Sequence, residues 1–249
     1  MSTFFPASQR GISQFGMVDR RNVFAYANDI QNRPKGFGRL RVLNEYTIAP
    51  GGVLNETYTE VKIVIIVLEG CLVGKGHNIL PINLTPGQAR LLLPGELENL
   101  SIQNPSPFES LRFIELWFES DLRSEQHAPN DAVIDIKAFT APKQGWEAII
   151  GGGSPIPGAP EFTSKVFYTR LHATEELEYT TTEDHMAWLY VIGGHVHLND
   201  QSMNDGDSYA LPPGQKMTLN DGHGTCLLLV DTLHDPGFFN NTRYPALSS

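Results

Sequence analysis

Along most of the chain, short apolar or alternating runs are broken by Gly, Pro and Asn. Examples are "GRLRVLNEYTIAP", "EVKIVIIVLEG", "ARLLLPG", "LSIQN" and "LRFIELWFES". A period near two, with turn residues every few positions, predicts strands and tight turns of a barrel or sandwich. Between Asp121 and Pro160 this rhythm fails, and "GGGSPIPGAP" from Gly151 is the strongest loop signal. Strand rhythm resumes in "SKVFYTRLH", "LEYTTT", "MAWLYVIGG", "DSYALPPG", "KMTLN" and "TCLLLVDTL". The halves repeat one crude order: an apolar strand ending in Gly ("VLEG", "VIGG"), a Pro-Gly turn ("LLLPGE", "ALPPGQ"), then a closing apolar strand ("RFIELWF", "TCLLLVD").

This predicts an all-β protein of two tandem barrels. The N-terminal barrel is expected over 2–120, a segment packing across both barrels over 121–160, and the C-terminal barrel over 161–247.

Charge narrows the partners. The 28 acidic side chains outweigh 18 basic ones, for a formal net charge of −10, so the mean field repels phosphate backbones and anionic headgroups. No direct nucleic-acid role is expected, and the basic residues near the start (Arg20, Arg21, Arg33, Lys35, Arg39, Arg41) read as a solvated surface with one or two ion pairs. Cys71 and Cys226 each lie in a run that reads as a strand, which predicts small core residues rather than a disulfide framework. No apolar window reaches the length of a membrane span, so the expectation is a soluble protein in a reducing cytoplasm, with no membrane partner.

The pieces "DRR" at Asp19, "FGRLRVLNEYTIAPGG" from Phe37, "VLEG" at Val67, "TPGQARLLLPGE" from Thr85 and "IELWF" from Ile114 together resemble the pirin-like bicupins. So do "WLYVIGGHVHLND", "DGDSYALPPGQ" and "CLLLVD" in the second half. The resemblance implies two cupin barrels of the double-stranded β-helix, or jelly-roll, type. It also implies iron or another divalent metal, held by two His in an H-x-H pattern, a third His and a Glu, and an activity like that of quercetin 2,3-dioxygenase. In this sequence the first two ligand positions fall at Glu56 and Tyr58, the third at about Leu100, and the Glu position at Ile102. The first 119 residues contain a single histidine, His77, so a three-His site cannot be assembled there in any register. The expectation is therefore a barrel without the family's metal centre and without cofactor.

Glu56, Tyr58, Glu60 and Lys62 occupy successive even positions, which on one extended strand share a face. Facing inward, they form a wet barrel mouth in which Lys62 neutralises Glu60 or Glu56; facing out, they are a solvated strand start. Because Val64 and Ile66 continue the same face as apolar residues, the inward reading is preferred. Glu98 is an acidic partner for Glu56, as general base or as oxygen ligand of a hard cation, although such a cation needs more oxygens than are identifiable. The candidate mouth thus comprises Glu56, Tyr58, Glu60, Lys62, Glu98, Leu100 and Ile102, with a small molecule as the possible ligand.

In the second half His195 and His197 form an H-x-H able to chelate, but they follow the "IGG" turn, and Val196 and Leu198 offer an apolar face that would leave both imidazoles outside. The family's ligand position there is Met217, whose thioether does not replace imidazole for iron or zinc. Trp188, Tyr190, Tyr209 and Met217 read as core of the second barrel. His77 has no orienting partner and reads as a surface residue. Two functions follow: a binding or regulatory bicupin, or an enzyme. The enzyme is either a dioxygenase with a non-standard site or a metal-independent lyase or isomerase using these carboxylates.

Overall fold

The computed structural model describes residues 3–25, 33–59, 61–77, 79–92, 98–119, 133–136, 145–151 and 164–235. They form four antiparallel sheets, two per barrel.

The first barrel pairs a large sheet with a small one. In order across the large sheet are β12 (Val133–Asp135), β9 (Gln88–Leu92), β6 (Val61–Glu69), β11 (Leu111–Glu119), β4 (Leu40–Ile48), β3 (Val18–Asn22) and β2 (Gly11–Phe15). The small sheet runs β5 (Val53–Tyr58), β10 (Glu98–Gln103), β7 (Leu72–Gly76) and β8 (Ile82–Leu84). In the second barrel the large sheet is β1 (Thr3–Phe5), β19 (Ser208–Leu211), β16 (His185–Gly193), β21 (Thr225–Leu233), β14 (Lys165–Leu171) and β13 (Glu147–Ile150). Its small sheet is β15 (Leu177–Thr180), β20 (Lys216–Asn220), β17 (His195–Leu198) and β18 (Gln201–Asn204).

Chain segments cross between the halves. The N-terminal strand β1 pairs with β19 of the second barrel, whereas β12, from the middle of the chain, pairs with β9 of the first and β13 pairs with β14 of the second. The "GGGSPIPGAP" loop falls, beyond Gly151, outside the described residues.

Three apolar layers result, because the large sheets are apolar on both faces. On β6, Ile63, Ile65 and Val67 point into the first barrel with Leu54, Tyr58, Leu100, Ile102 and Phe113. The alternate residues Val64, Ile66 and Leu68 meet Trp188, Tyr190, Leu228 and Val230 of the second barrel. This explains the unbroken apolar run "VKIVIIVLEG", which a one-sided strand would not carry. A third layer, including Leu189, Val196, Met217 and Leu229, fills the second barrel.

Two expectations are corrected here. Trp188 and Tyr190 do not fill the second barrel; their parity on β16 places them between the barrels, where Trp188 packs at tilted to edge-on angles against Phe5, Phe24 and Phe37 at centroid distances of 4.9, 4.9 and 5.2 Å. Cys71 is an exposed residue after β6 and Cys226 is only partly buried, so neither is a sealed core residue; both are free thiols. Met217 lies in the second core, as its strand pattern predicts.

The glycines that end the long strands are required sterically. Gly70 has φ +74°, and a Cβ there would stand 2.6 Å from the Ser110 carbonyl oxygen. Gly194, its counterpart after β16, has φ +100° and would meet Thr225 Oγ1 at 2.8 Å.

The barrels are also tied by a polar clamp. Glu45 on β4 accepts from Arg112 Nε at 2.6 Å and from the Tyr190 hydroxyl at 2.7 Å, and it lies 3.5 Å from Arg10 Nη1. Arg112 also donates to the Ile192 carbonyl at 2.9 Å, and Arg10 to Tyr190 Oη at 2.9 Å.

Candidate functional site

The small sheet of the first barrel brings the resemblance positions together. In the antiparallel pairing of β5 with β10, Leu54 lies opposite Ile102, Glu56 opposite Leu100, and Tyr58 opposite Glu98. Leu54, Tyr58, Leu100 and Ile102 belong to one buried cluster, so Glu56 between Leu54 and Tyr58 has the same inward parity.

Lys62 does not join them, which corrects the single polar stripe drawn from the sequence. Parity reverses between β5 and β6: even residues point inward on β5, but on β6 the inward residues are Ile63, Ile65 and Val67. Lys62 therefore shares the outer face with Val64 and Ile66, toward the second barrel, with Phe118 as its cross-strand neighbour. The even-number rule holds only while one extended strand continues, and β5 ends at Tyr58 whereas β6, which starts at Val61, belongs to the other sheet. Glu60 lies outside the described residues.

Glu98 is buried, but its Oε1 accepts the His77 backbone N–H, so it anchors the turn after β7 instead of pairing with Glu56. His77 itself is exposed.

The carboxylate that does approach Glu56 is Glu115, on β11. Phe113 points into the first barrel and Trp117 packs against the same core, so Glu115 between them points inward too. It is fully buried, and the Tyr58 hydroxyl donates to its Oε1 at 2.5 Å. Beside it Tyr46 on β4 donates to Glu56 Oε1 at 3.2 Å and accepts from Asn44 Nδ2 at 3.2 Å. Arg20 on β3 places Nη1 3.7 Å from the same Glu56 oxygen, and its guanidinium lies 5.4 Å from the Phe15 ring centroid. Four strands thus supply one cluster: Arg20, Tyr46, Glu56, Tyr58 and Glu115, roofed by Trp117 edge-on to Tyr58 at 5.1 Å.

Burial sets the protonation states. Glu115 is pushed up to about 7, chiefly by desolvation; the Tyr58 hydroxyl, and to a smaller extent the Trp117 and Tyr46 side chains, favour its charged form, while Glu56 opposes it. Its second oxygen, Oε2, is buried without a hydrogen-bond partner, as is Trp117 Nε1. Glu56 is raised by burial against the opposing pull of Arg20 and Tyr46. Both phenols are held well above their ordinary range, first by burial and next by Glu115, so each remains a hydrogen-bond donor at neutral pH. A carboxyl poised near neutrality beside a protonated phenol can hold and return a proton.

The donor chemistry at this position does not match the family's metal set. The side chains of Leu100 and Ile102 have no lone pair, both phenols keep their protons, and Glu56 Oε1 already faces the Arg20 guanidinium. Among the described residues of this cluster there is no imidazole.

Sequence reasoning passed over Glu115, Tyr46 and Arg20. "IELWF" was legible as a strand, and strict alternation from Phe113 would have put Glu115 inward, a position where a carboxylate needs explanation. A smaller polar group sits in the second barrel, where Asp231 Oδ2 accepts from the Tyr179 hydroxyl at 2.7 Å and Asp231 Oδ1 meets His185 Nδ1 at 2.5 Å.

Two facing-sheet barrels packed back to back define a bicupin. Residues 163–232 match the quercetinase C-terminal cupin domain family. Quercetin 2,3-dioxygenase of Escherichia coli (strain K12) is 23% identical over 232 residues, spanning 90% of this chain and 96% of the relative. The pirin-like protein YhaK of the same organism is 27% identical over 121 residues, 48% of this chain and 52% of the relative. Among solved structures, YhhW from Escherichia coli superposes with a TM-score of 0.81 at 21% identity, covering 93% of this chain and 97% of that one. The bacterial pirin YhhW in complex with nickel(II) gives the same score, covering 94% and 100%. At that identity the structural likeness shows the fold. By these comparisons the chain resembles the pirin-like cupins along most of its length.

Proposed function

We propose that this chain is a divergent pirin-like bicupin whose first barrel works without the three-His and Glu metal centre and binds a small molecule at the mouth bounded by Arg20 and Glu56. The observation that carries this reading is the pairing of Glu56 with Leu100 on adjacent inward strands, one to the side of the Tyr58–Glu115 hydrogen bond. Where the resemblance places imidazoles stand Glu56, paired with a guanidinium, Tyr58, whose phenol donates to the Glu115 carboxyl, and the apolar Leu100. The side chains of Arg20 and Glu56 retain 14% and 15% of their exposure, so the cluster meets solvent at its mouth, whereas Tyr58 and Glu115 are sealed. A ligand entering there meets a cation and an acceptor, with the buried Tyr46 hydroxyl behind Glu56, before it meets the apolar interior, which suits a compact molecule with one polar end.

A second reading, proton transfer of the lyase or isomerase kind, is favoured by one specific feature, the Glu115 carboxyl at about 7. In that reading Tyr58 orients Glu115, and Glu56 with Arg20 positions the substrate.

Elemental analysis of untagged protein grown with added iron and nickel, paired with oxygen uptake on quercetin, tests the first proposal. The expected result is no quercetin-dependent uptake and no tightly held metal that disappears in Glu56→Ala. One transition-metal ion per chain, lost together with quercetin turnover in that variant, overturns it.

A further inference from the structure

A second group of chemically capable side chains lies on the outer face of the other barrel. Strand β17 alternates strictly: Val196 and Leu198 are buried in the second core, so His195 and His197 project from the opposite face. Strand β20 runs beside it with Asn220 opposite His197, and the next residue, Asp221, turns the chain with φ +55°. One ligand atom each from His195, His197 and Asp221 lie within 4.8 Å of one another. The carboxylate bridges two rings, with Oδ2 3.7 Å from His197 Nδ1 and Oδ1 3.4 Å from His223 Nε2.

These separations have a natural reference. Donors around a tetrahedral ion with bonds of about 2.1 Å sit about 3.4 Å apart, so the gathered atoms need to close by at most about 1.4 Å. The frame that holds them is fixed from behind. The His195 backbone N–H donates to Thr225 Oγ1 at 3.1 Å, and that hydroxyl donates back to the His195 carbonyl. His195 Nδ1 faces Asn204 Oδ1 at 3.0 Å. An N–H donated to that amide oxygen leaves the Nε2 lone pair free, the orientation in which ligating imidazoles are held by a neighbour. The His195 and His197 rings are 5.0 Å apart and nearly perpendicular, so their lone pairs can converge without the rings stacking.

We propose that His195, His197 and Asp221, with His223 as fourth donor, form a site for a borderline divalent transition metal of the zinc or nickel class. Two or three imidazoles with one carboxylate suit such an ion and not calcium or magnesium, which take oxygen ligands. The site uses no residue of the first barrel and lies outside the second barrel's own core. It joins β17 to the turn between β20 and β21, so the ion pins the small sheet to the strand that closes the barrel.

The test is zinc(II) binding by untagged full-length chain stripped with chelator, followed by calorimetric titration and thermal melts. One equivalent is expected to bind and to raise the melting temperature. His197→Ala and Asp221→Ala should each weaken binding at least about 10-fold, and Asn204→Ala about 10-fold through loss of the orienting acceptor. The double variant His195→Ala with His197→Ala should abolish it, and Glu56→Ala should leave it intact. Absence of zinc binding by the parent chain, or full-strength binding in the double variant, overturns the proposal. Loss of zinc in Glu56→Ala would also overturn it, by assigning the ion to the first barrel. All these side chains are at least partly exposed, so the variants are expected to fold, and the metal-free melts confirm that they do.

Discussion

The Tyr58 hydroxyl donates to Glu115 Oε1 at 2.5 Å inside a barrel that seals both side chains from water. The carboxyl is held at about 7 against an ordinary value of 4.5, and desolvation is the main cause. Its charge is therefore linked to folding with a definite sign. Below about 4.5 the group is neutral in folded and unfolded chains alike. As pH rises from there toward 7 the unfolded chain releases this proton while the folded chain keeps it, so the contribution of Glu115 to stability falls. The loss is complete once pH passes the folded value, and its size is about 3 kcal/mol. Glu115→Gln should remove this part of the pH dependence. Urea melts at pH 5 and pH 8 are expected to show a stability drop across that interval in the parent chain that is smaller in the variant by roughly that amount. Equal drops in both proteins would contradict the assignment.

Tyr58→Phe tests the donor. The variant strips Glu115 Oε1 of its donor and leaves the carboxyl only the weaker pull of Trp117 and Tyr46, since Oε2 makes no hydrogen bond. Burial then acts without its main counterweight, and the Glu115 carboxyl should titrate higher than in the parent. A stability loss of about 1–3 kcal/mol at neutral pH accompanies it, the usual consequence of stranding a buried acceptor. Infrared spectroscopy of the protonated carboxyl band, followed through pH with the Glu115→Gln variant as blank, reads the shift directly.

Much of this arrangement was written in the sequence, and the failures have physical causes. The duplicated strand order and the terminal glycines at Gly70 and Gly194 specify two barrels, because each glycine sits at a positive-φ turn where a side chain would strike the next strand. Glu56, Tyr58, Leu100 and Ile102 were nameable as neighbours from the resemblance, and their register follows the β5–β10 pairing. Lys62 was misplaced because residue parity carries along one strand but not from β5 to β6, which lie in different sheets. Trp188 and Tyr190 were assigned to the wrong layer because a strand apolar on both faces does not say which face meets which core. Glu115 was missed because a lone acidic residue in "IELWF" looks like a solvent-facing position, and only the large sheet's second buried face shows that β11 has none in its middle.

At the barrel mouth, Arg20 and Glu56 form a part-buried pair at 3.7 Å. Removing Arg20 takes away the charge that counters the desolvation of Glu56, so Arg20→Met should raise the Glu56 carboxyl further and destabilise the folded chain by about 1–2 kcal/mol. Glu56→Gln removes the need for the cation. A double-mutant cycle built from Arg20→Met and Glu56→Gln is expected to give a coupling energy of about 1 kcal/mol. A coupling indistinguishable from zero would mean that solvent, not Arg20, carries the Glu56 charge.

The two barrels should unfold as one unit, because the residues that join them are among the most deeply buried. Glu45 is held by Arg112 at 2.6 Å and Tyr190 at 2.7 Å, with Arg10 at 3.5 Å, and Arg112 continues to the Ile192 carbonyl across the layer. Two guanidiniums share this carboxylate, so Glu45→Ala leaves both without their common counter-charge and leaves the Tyr190 hydroxyl buried without its acceptor. The expected cost is about 3–5 kcal/mol. Glu45→Gln preserves an acceptor for Tyr190 but not the charge, and should fall between the parent and the alanine variant. Gly206 is part of the same clamp: at φ +82° it lies under Arg10, and a Cβ there would come within 2.2 Å of the guanidinium. Gly206→Ala should therefore displace Arg10 and reproduce part of the Glu45→Ala loss, and the two changes combined should be less than additive because they break one network. Denaturant melts followed by Trp fluorescence and by far-ultraviolet circular dichroism provide the check. Coincident single transitions in the parent, with a midpoint lowered in the order Glu45→Gln then Glu45→Ala, are the expected outcome. Separate transitions in the parent chain would show that the barrels are stable alone and that the clamp only orients them.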